Sequence, residues 1–487
     1  MVKNPSTALS DRLKAANQEH LLKFWATLSE AEQAALQAQL ESFDFDRING
    51  VFKEYAEPKV DEISSVEPIA ADHYGCVQGT PMELREQYWK HGLSAVAANK
   101  VGVVVLAGGQ ATRLGASEPK GTIALGLQRA HDSLLQLQTA QILKLQQLAR
   151  ARHSDCRPRI HWYIMTSAAT DQSTKLHFKQ HIFPHFPELH SDQVHFFTQA
   201  EMPCFAADGK ILLKEKHQVA TSPDGNGGLY AALRPLLPSI RAAGVQFIHV
   251  YCVDNILCRV ADPVFLGFCI RSGADCAAKV VTKTDPSEKV GVVCQVQGVP
   301  KVVEYSEITE EMANRRDAFD SGKLALRAGN IANHFFTIDF LDVACSAPLP
   351  FHPAHKKIAC IDGEGQPVQP KTPNGIKMEQ FVFDVFKHSK SFYVWEVSRD
   401  DEFSPLKNAE SAGVDCLSSC RRDLWKLHQR WITAAGGRIM TAEGRPCDDA
   451  NAATAGPVEV DASVSYAGEG LETIVSGQKL SVPVYLK

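Results

Sequence analysis

Nowhere in these 487 residues do 18 apolar side chains follow one another, so no stretch reads as a membrane-spanning helix. The opening residues, MVKNPSTALSDRLKAANQEH, lack the apolar core of a secretory signal. The 13 cysteines are odd in number and contain no C-x-x-C pair, which suits reduced thiols better than a disulfide framework. An excess of one charge is missing too. Lys and Arg total 51 against 56 Asp and Glu, a formal net charge of −5, which argues against a general nucleic-acid binder. An anionic substrate must therefore be held by local cations. Internal repeats and low-complexity tracts are also absent. These absences point to a cytoplasmic protein that partners neither membrane nor nucleic acid; oligomeric state leaves no mark in the sequence. The length allows two or three domains with most of the apolar surface buried.

The most informative stretch is VGVVVLAGGQATRLGASEPKGT, residues 101–122. Its β-branched run predicts a buried, central, parallel strand. The run breaks at Gly108-Gly109, where main-chain N–H groups without side-chain cover can approach a ligand closely. Arg113 and Lys120 follow within reach of the turn. A glycine turn after a strand with two cations nearby meets the needs of polyphosphate binding. The dinucleotide fingerprint G-x-G-x-x-G fails, since Gly108 and Gly109 are adjacent and Gln110 follows. The ATPase loop fails as well, because Pro119 precedes Lys120 and Gly121 follows it.

Residues 5 to about 98 read as helical. Ser29 with Glu32 forms a capping box, followed by Ala35, Leu36 and Leu40 at helical spacing. Leu21, Leu22, Trp25 and Leu28 would line the apolar face of a preceding helix. From Val101 strands and helices alternate, which predicts an open, mostly parallel sheet. The expected elements are a helix over 134–151 and strands over 161–165, 194–197 and 244–253. The last of these strands ends at Asp254-Asn255, the place where α/β sheets gather ligands. Residues 341–375 read as an excursion or loop-rich hairpin, and the C-terminal residues as short strands between glycine turns. The expected division is a helical region 1–98, a central domain 99–388 and a C-terminal domain 389–487. Five histidines stand from His177 to His195, but Pro184 and Pro187 break the helical spacing and no acidic or Cys ligand joins at a regular spacing, so the tract is not read as a zinc site.

The pattern L-A-G-G-x-x-T-R-L-G-x-x-x-P-K over 106–120 resembles the signature of nucleotidyltransferases that make nucleotide sugars. Further segments follow in one family's order. They are SPDGNGGLY (222–230), HVYCVDNIL (249–257), GADCAAKVV (273–281), VGVVC (290–294), VVEYSE (302–307), AGNIANHFF (328–336), PNGIKMEQFVFD (373–384), DEFSPLKNA (401–409) and SYAGEGLE (465–472). Together they resemble the eukaryotic UDP-N-acetylhexosamine pyrophosphorylases from about residue 15 almost to the end. The resemblance implies a central Rossmann-like sheet and a uridylyl transfer from UTP to N-acetylglucosamine 1-phosphate or N-acetylgalactosamine 1-phosphate. It implies that Leu106, Ala107, Gly108 and Gly109 cradle the nucleotide, while Arg113 and Lys120 neutralise its phosphates. Gln199 and Gly225 would contact uracil, and Asp254 would bind Mg²⁺, with Mn²⁺ as a substitute. Asn226, Gly291, Glu304, Tyr305 and Asn330 would line the sugar pocket, with Gly291 leaving room for the N-acetyl group. Lys377 would meet a UTP phosphate and Lys407 the sugar phosphate.

Three departures from the family pattern stand out. Position 111 is Ala where G-G-x-G-T is usual, Ile123-Ala124 replaces an aromatic-acidic pair, and His131-Asp132 replaces Lys-Thr. If residue 111 needs positive φ, its Cβ costs about 1–2 kcal/mol, and reduced activity is expected. Two rival readings stay open, the first of them motivated by Ala111. One is a nucleotide-sugar-binding regulatory paralogue of low turnover; the other is an enzyme for a plain hexose 1-phosphate.

Overall fold

Val101–Leu106 is buried along its whole length, and the larger part of the molecule is assembled around it. The computed structural model describes residues 4–56, 66–128, 132–153, 155–318, 320–447 and 456–487. The chain forms two compact units, each drawn from separate stretches. Met1–Glu62, Gln199–Ala232 and Pro348–Asp384 make the first; Ile63–Thr198, Leu233–Ala347 and Val385–Lys487 make the second.

In the first unit, helices α1 (Thr7–Ala15), α2 (Glu30–Glu41) and α3 (Phe45–Ala56) bury Leu9, Leu13, Leu36, Leu40, Phe45 and Ile48. These pack with Met202, Phe205, Ile211, Val219, Ile376 and Met378. Ser29 caps α2 in the expected capping box. The helix expected before it is instead two 3₁₀ turns, Glu19–Leu22 and Trp25–Thr27. Tertiary bonds override the local pattern there. Gln18 Nε2 donates to Gly209 O at 3.0 Å, and Gln18 Oε1 accepts from Ile211 N at 2.9 Å. Leu21 and Trp25 are buried all the same. The proline-rich excursion is a hairpin, His352–Lys356 against Gly375–Glu379.

The second unit holds a mixed, mostly parallel sheet. Its main strands are β1 (Tyr74–Cys76), β2 (Val101–Leu106), β3 (His161–Thr166), β4 (Val194–Thr198), β5 (Phe247–Cys252), β6 (Cys276–Thr282), β7 (Ala328–Thr337) and β8 (Phe392–Val397). They lie in the order β1-β8-β6-β7-β5-β2-β3-β4. Only β7 runs against its neighbours in this series. A hairpin, Val292–Val296 with Val299–Val303, joins β7 through Val292 and Gly329, and Val66–Glu67 pairs with that hairpin. Val66–Glu67 and β1 thus interrupt the N-terminal stretch expected to be helical throughout. β5 starts later than the apolar run suggests, because Gly244 turns at φ +80°.

Helices α4 (Met82–Ala97), α5 (Leu134–Arg152) and α6 (Pro263–Ser272) cover the sheet. Two glycines let α4 and α6 touch backbone to backbone. A Cβ on Gly92 would lie 2.1 Å from Pro263 O, and one on Gly267 would lie 1.9 Å from Tyr88 O. Beyond α7 (Leu417–Ala434), short parallel pairs at 438–440 with 479–481 and 458–460 with 484–486 make the small β-containing C-terminal part. No helix among the described residues is long and apolar enough to cross a membrane.

Candidate functional site

β2 is the topological switch of the sheet: β3 lies on one side of it and β5 on the other. Its carboxyl end therefore opens onto the crevice in which such sheets bind ligands. There Ala107 N donates to Met165 O at 2.8 Å, and Gly108 O accepts from Ser167 Oγ at 2.8 Å. Gly109 O accepts from Lys120 N at 3.1 Å, so the loop returns on itself. Neither Gly108 nor Gly109 has a left-handed φ. A Cβ added to Gly109 would meet only Lys120 Cδ, at 3.9 Å. The protein itself does not demand glycine at 109, and the space before that main chain is open.

Ala111 overturns the expectation of strain. It sits at φ −84°, ψ 28°, an ordinary conformation for an L residue, and is fully buried. Its N–H donates to Glu118 O at 2.9 Å, closing the loop that carries Arg113. Arg113 itself is exposed on a 3₁₀ turn, Thr112–Leu114, and has no ion-pair partner among the described residues. His131 lies outside the described residues. Asp132 Oδ2 accepts from Gly126 N at 3.0 Å, and Ser133 caps α5 in a capping box with Gln136.

Asp254 follows β5, whose Cys252 pairs with Leu106 of β2, so Asp254 and the glycine turn share one edge of the sheet. Lys120 Nζ donates to Asp254 Oδ2 at 3.1 Å, with side-chain exposures of 16% and 17%. Both groups are sheltered yet reachable. Burial pushes the nearby Cys252 thiol up to about 12; Asp254 adds to this, while Lys407 and Lys120 oppose it. The thiol is neutral and inert.

Asn255 joins this strand end to the segment bearing Lys407. Its Nδ2 donates to Glu402 O at 2.7 Å, and its Oδ1 accepts from Ser404 N at 2.9 Å. Leu406 N donates to Asp254 O at 2.8 Å. Lys407 is exposed, with its main chain held by Asp415 O at 2.8 Å and its ammonium 5.7 Å from the Phe403 ring centre. Glu402 is fixed from behind by the buried Lys279, which donates to both Glu402 Oε2 and, at 2.7 Å, Asp262 Oδ2. Burial disfavours the Lys279 charge, but the two carboxylates outweigh it and raise its pKa. Asn255 was invisible as a functional residue in sequence, apart from standing beside Asp254.

Gly291, Glu304 and Asn330 come together in the same unit. Asn330 N donates to Gly291 O at 2.8 Å, and a Cβ on Gly291 would lie 2.9 Å from Glu304 Oε1. The space left by Gly291 is thus taken by the Glu304 carboxylate. A bulge between β6 and β7 displaces Asn330, whose Oδ1 accepts from Ala332 N at 3.1 Å, leaving its Nδ2 to donate elsewhere. Tyr305 is 48% exposed.

The remaining candidates, Gln199, Gly225, Asn226 and Lys377, belong to the first unit. Gln199 Nε2 donates both to Asp224 Oδ1 at 3.1 Å and to Gly225 O at 2.9 Å. Gly225 has φ +90°, and a Cβ there would strike Gln380 O at 2.4 Å, so this glycine is required. Asn226 Oδ1 accepts from Val382 N at 2.9 Å. Lys377 is half-buried on the strand Gly375–Glu379. Asp224 is only 5% exposed, and burial pushes its pKa up to about 6 against the bond from Gln199. Sequence reasoning quoted its motif but gave this residue no role.

Comparison with known proteins places the chain in one family. The family described as UTP–glucose-1-phosphate uridylyltransferase matches residues 45–443. The chain is 44% identical to the UDP-N-acetylhexosamine pyrophosphorylase-like protein 1 of Homo sapiens, over 98% of this chain and 96% of that protein. It is 39% identical to the UDP-N-acetylglucosamine diphosphorylase 1 of Arabidopsis thaliana, over 99% and 94%. A crystal structure of the uridine diphosphate N-acetylglucosamine pyrophosphorylase from Trypanosoma brucei, in complex with inhibitor, aligns with a TM-score of 0.80 at 31% identity, over 97% of this chain and 95% of that one.

Proposed function

We propose that this chain, which belongs to the UTP–glucose-1-phosphate uridylyltransferase family, transfers a uridylyl group from UTP to an N-acetylhexosamine 1-phosphate and releases pyrophosphate. The observation that carries this is the Lys120–Asp254 pair at the carboxyl ends of adjacent strands, beside the open Gly108-Gly109 turn. A phosphate oxygen of the sugar 1-phosphate attacks the α-phosphorus of UTP. The bond from that phosphorus to the bridging oxygen breaks, and pyrophosphate leaves with the electron pair. Such a step needs alignment and neutralised charge, with little covalent help from the protein.

The main chain of Leu106, Ala107, Gly108 and Gly109 approaches the nucleotide, and Arg113 and Lys120 neutralise its phosphates. Lys407 holds the sugar phosphate, placed by the Asn255 bonds to Glu402 and Ser404. Glu304 accepts from sugar hydroxyls, and Asn330 Nδ2 donates to the N-acetyl carbonyl. In the first unit Gln199 and Gly225 meet uracil, Asn226 the sugar, and Lys377 a UTP phosphate.

Among the described residues no three His, Cys, Asp or Glu side chains, Asp254 included, cluster as a protein-only metal cage. A carboxylate beside substrate phosphates suits a hard cation, Mg²⁺ with Mn²⁺ as substitute, which Asp254 would hold. Such an ion, when bound, supplies charge neutralisation at the phosphates. The negative φ of Ala111 takes away backbone strain as a motive for a low-turnover paralogue.

The test is pyrophosphate release from UTP and Mg²⁺ with a panel of N-acetylglucosamine, N-acetylgalactosamine and glucose 1-phosphates. The N-acetylated sugars are expected to lead. Equal or better use of glucose 1-phosphate would overturn the sugar assignment. Binding of a UDP-sugar with no pyrophosphate release would overturn the reaction.

A further inference from the structure

An uncompensated carboxylate is costly to bury, and retaining one calls for a reason. Asp224 is such a group. Its N–H donates to Ala200 O at 3.1 Å and its carbonyl accepts from Gln380 N at 2.7 Å, so its main chain is fixed on both sides. Its carboxylate fills the place of a side chain at Gly228, where a Cβ would lie 2.0 Å from Oδ1. Among the described residues no Lys or Arg forms an ion pair with it; its side-chain bond comes from Gln199 Nε2.

This bond dictates the polarity of the amide. An ionised carboxylate and the Gly225 carbonyl are both acceptors, so only the NH₂ end of Gln199 can face them. The amide cannot be turned over without setting its oxygen against two oxygens. Gln199 Oε1, which accepts from no group among the described residues, is left to accept a further hydrogen bond.

We infer that Asp224 is a positioning residue for base selection: by holding the Gln199 amide, it presents an acceptor oxygen to the imide N3–H of a uracil base. Cytosine carries a lone pair at N3, so the same oxygen repels it there. A site built to receive a hydrogen bond discriminates strongly against a ligand that cannot make it. This rests on the reading above that Gln199 meets the base of UTP.

The experiment compares UTP, CTP and N3-methyl-UTP with N-acetylglucosamine 1-phosphate, in wild type and in Asp224→Ala and Asp224→Asn. Wild type should use N3-methyl-UTP at least about tenfold worse than UTP. Asp224→Ala should narrow the UTP-over-CTP ratio of kcat/KM by about tenfold, and Asp224→Asn, which keeps an acceptor oxygen, should restore most of it. Equal wild-type use of UTP and N3-methyl-UTP overturns the inference even if neither variant folds. Proportional losses on UTP and CTP in a folded Asp224→Ala do the same, since they describe a structural role. If wild type turns over no UTP at all, the functional assignment fails first and the two failures are told apart.

Discussion

Lys120 Nζ and Asp254 Oδ2 stand 3.1 Å apart, one at the end of the glycine turn after β2 and the other just past β5. Each holds the other at the place proposed for the phosphates. Asp254→Asn keeps the size of the side chain and removes its charge. Mg²⁺-dependent turnover should fall on the order of a hundredfold with the melting temperature nearly unchanged. Turnover within about threefold of wild type would take Asp254 out of the metal and phosphate chemistry.

Lys407→Ala should weaken the sugar 1-phosphate more than UTP. A charge-assisted bond to phosphate contributes about 1.5–3 kcal/mol, or roughly 10- to 150-fold in Kd. Titration calorimetry with each substrate separates the two. Equal losses would mean that Lys407 serves both phosphates.

Asn255→Ala deletes the bonds to Glu402 O, Ser404 N and Leu257 N and leaves three buried main-chain groups unpaired. The cost should be about 1–3 kcal/mol of stability. Because Lys407 hangs from that segment, KM for the sugar 1-phosphate should rise several-fold in protein that is still folded. A variant with lowered stability and unchanged KM would reduce Asn255 to a structural staple.

Ala111→Gly restores the glycine that the family pattern has at this position. With Ala111 at φ −84° there is no strain to relieve. The change should leave kcat/KM within about twofold and lower stability by about 0.4–1 kcal/mol through added flexibility. A gain of tenfold in kcat/KM would show that the loop must pass through positive φ during the reaction.

Asp224 links stability to pH in a distinctive direction. Burial raises its pKa from the ordinary value to about 6 in the folded chain, with Gln199 and the more distant Arg47 acting the other way. Between about pH 4 and 6 the folded state binds the extra proton, so stability falls as pH rises through that window and levels off above it. The ionised form costs about 3 kcal/mol at neutral pH. Asp224→Asn should therefore raise the melting temperature at pH 7.5 and change it little at pH 4. A melting temperature lowered at pH 7.5 would mean that the carboxylate is better compensated than its surroundings indicate.

β2, its glycine turn and the strand-end Asp254 were legible because each is local: a β-branched run, a break, a residue type at a boundary. Ser29 with Glu32 was legible for the same reason. The conformation of Ala111 was not, since it depends on the bond from its own N–H to Glu118 O. Lys279 gave no sign in sequence of its burial, because its partners Asp262 and Glu402 lie 17 and 123 residues away. Asn255 and Asp224 share that blindness. Their importance comes from which atoms face them, and only the fold decides that. The 3₁₀ turns before Ser29 show the converse, a helical pattern of Leu and Trp overruled by Gln18 bonding to residues 209 and 211.

The first unit has a consequence for the order in which the molecule can be made. Leu9, Leu13, Leu36 and Leu40 emerge early during synthesis, yet their partners Met202 to Val219 come after residue 198, and Ile376 and Met378 later still. The N-terminal helices must wait, apolar faces uncovered, while most of the second unit's strands are produced. Long-range closure of this kind is slow and exposes sticky surface. A chain stopped before Pro348 therefore lacks the hairpin that completes the first core, and should survive in solution only with a chaperone holding those helices.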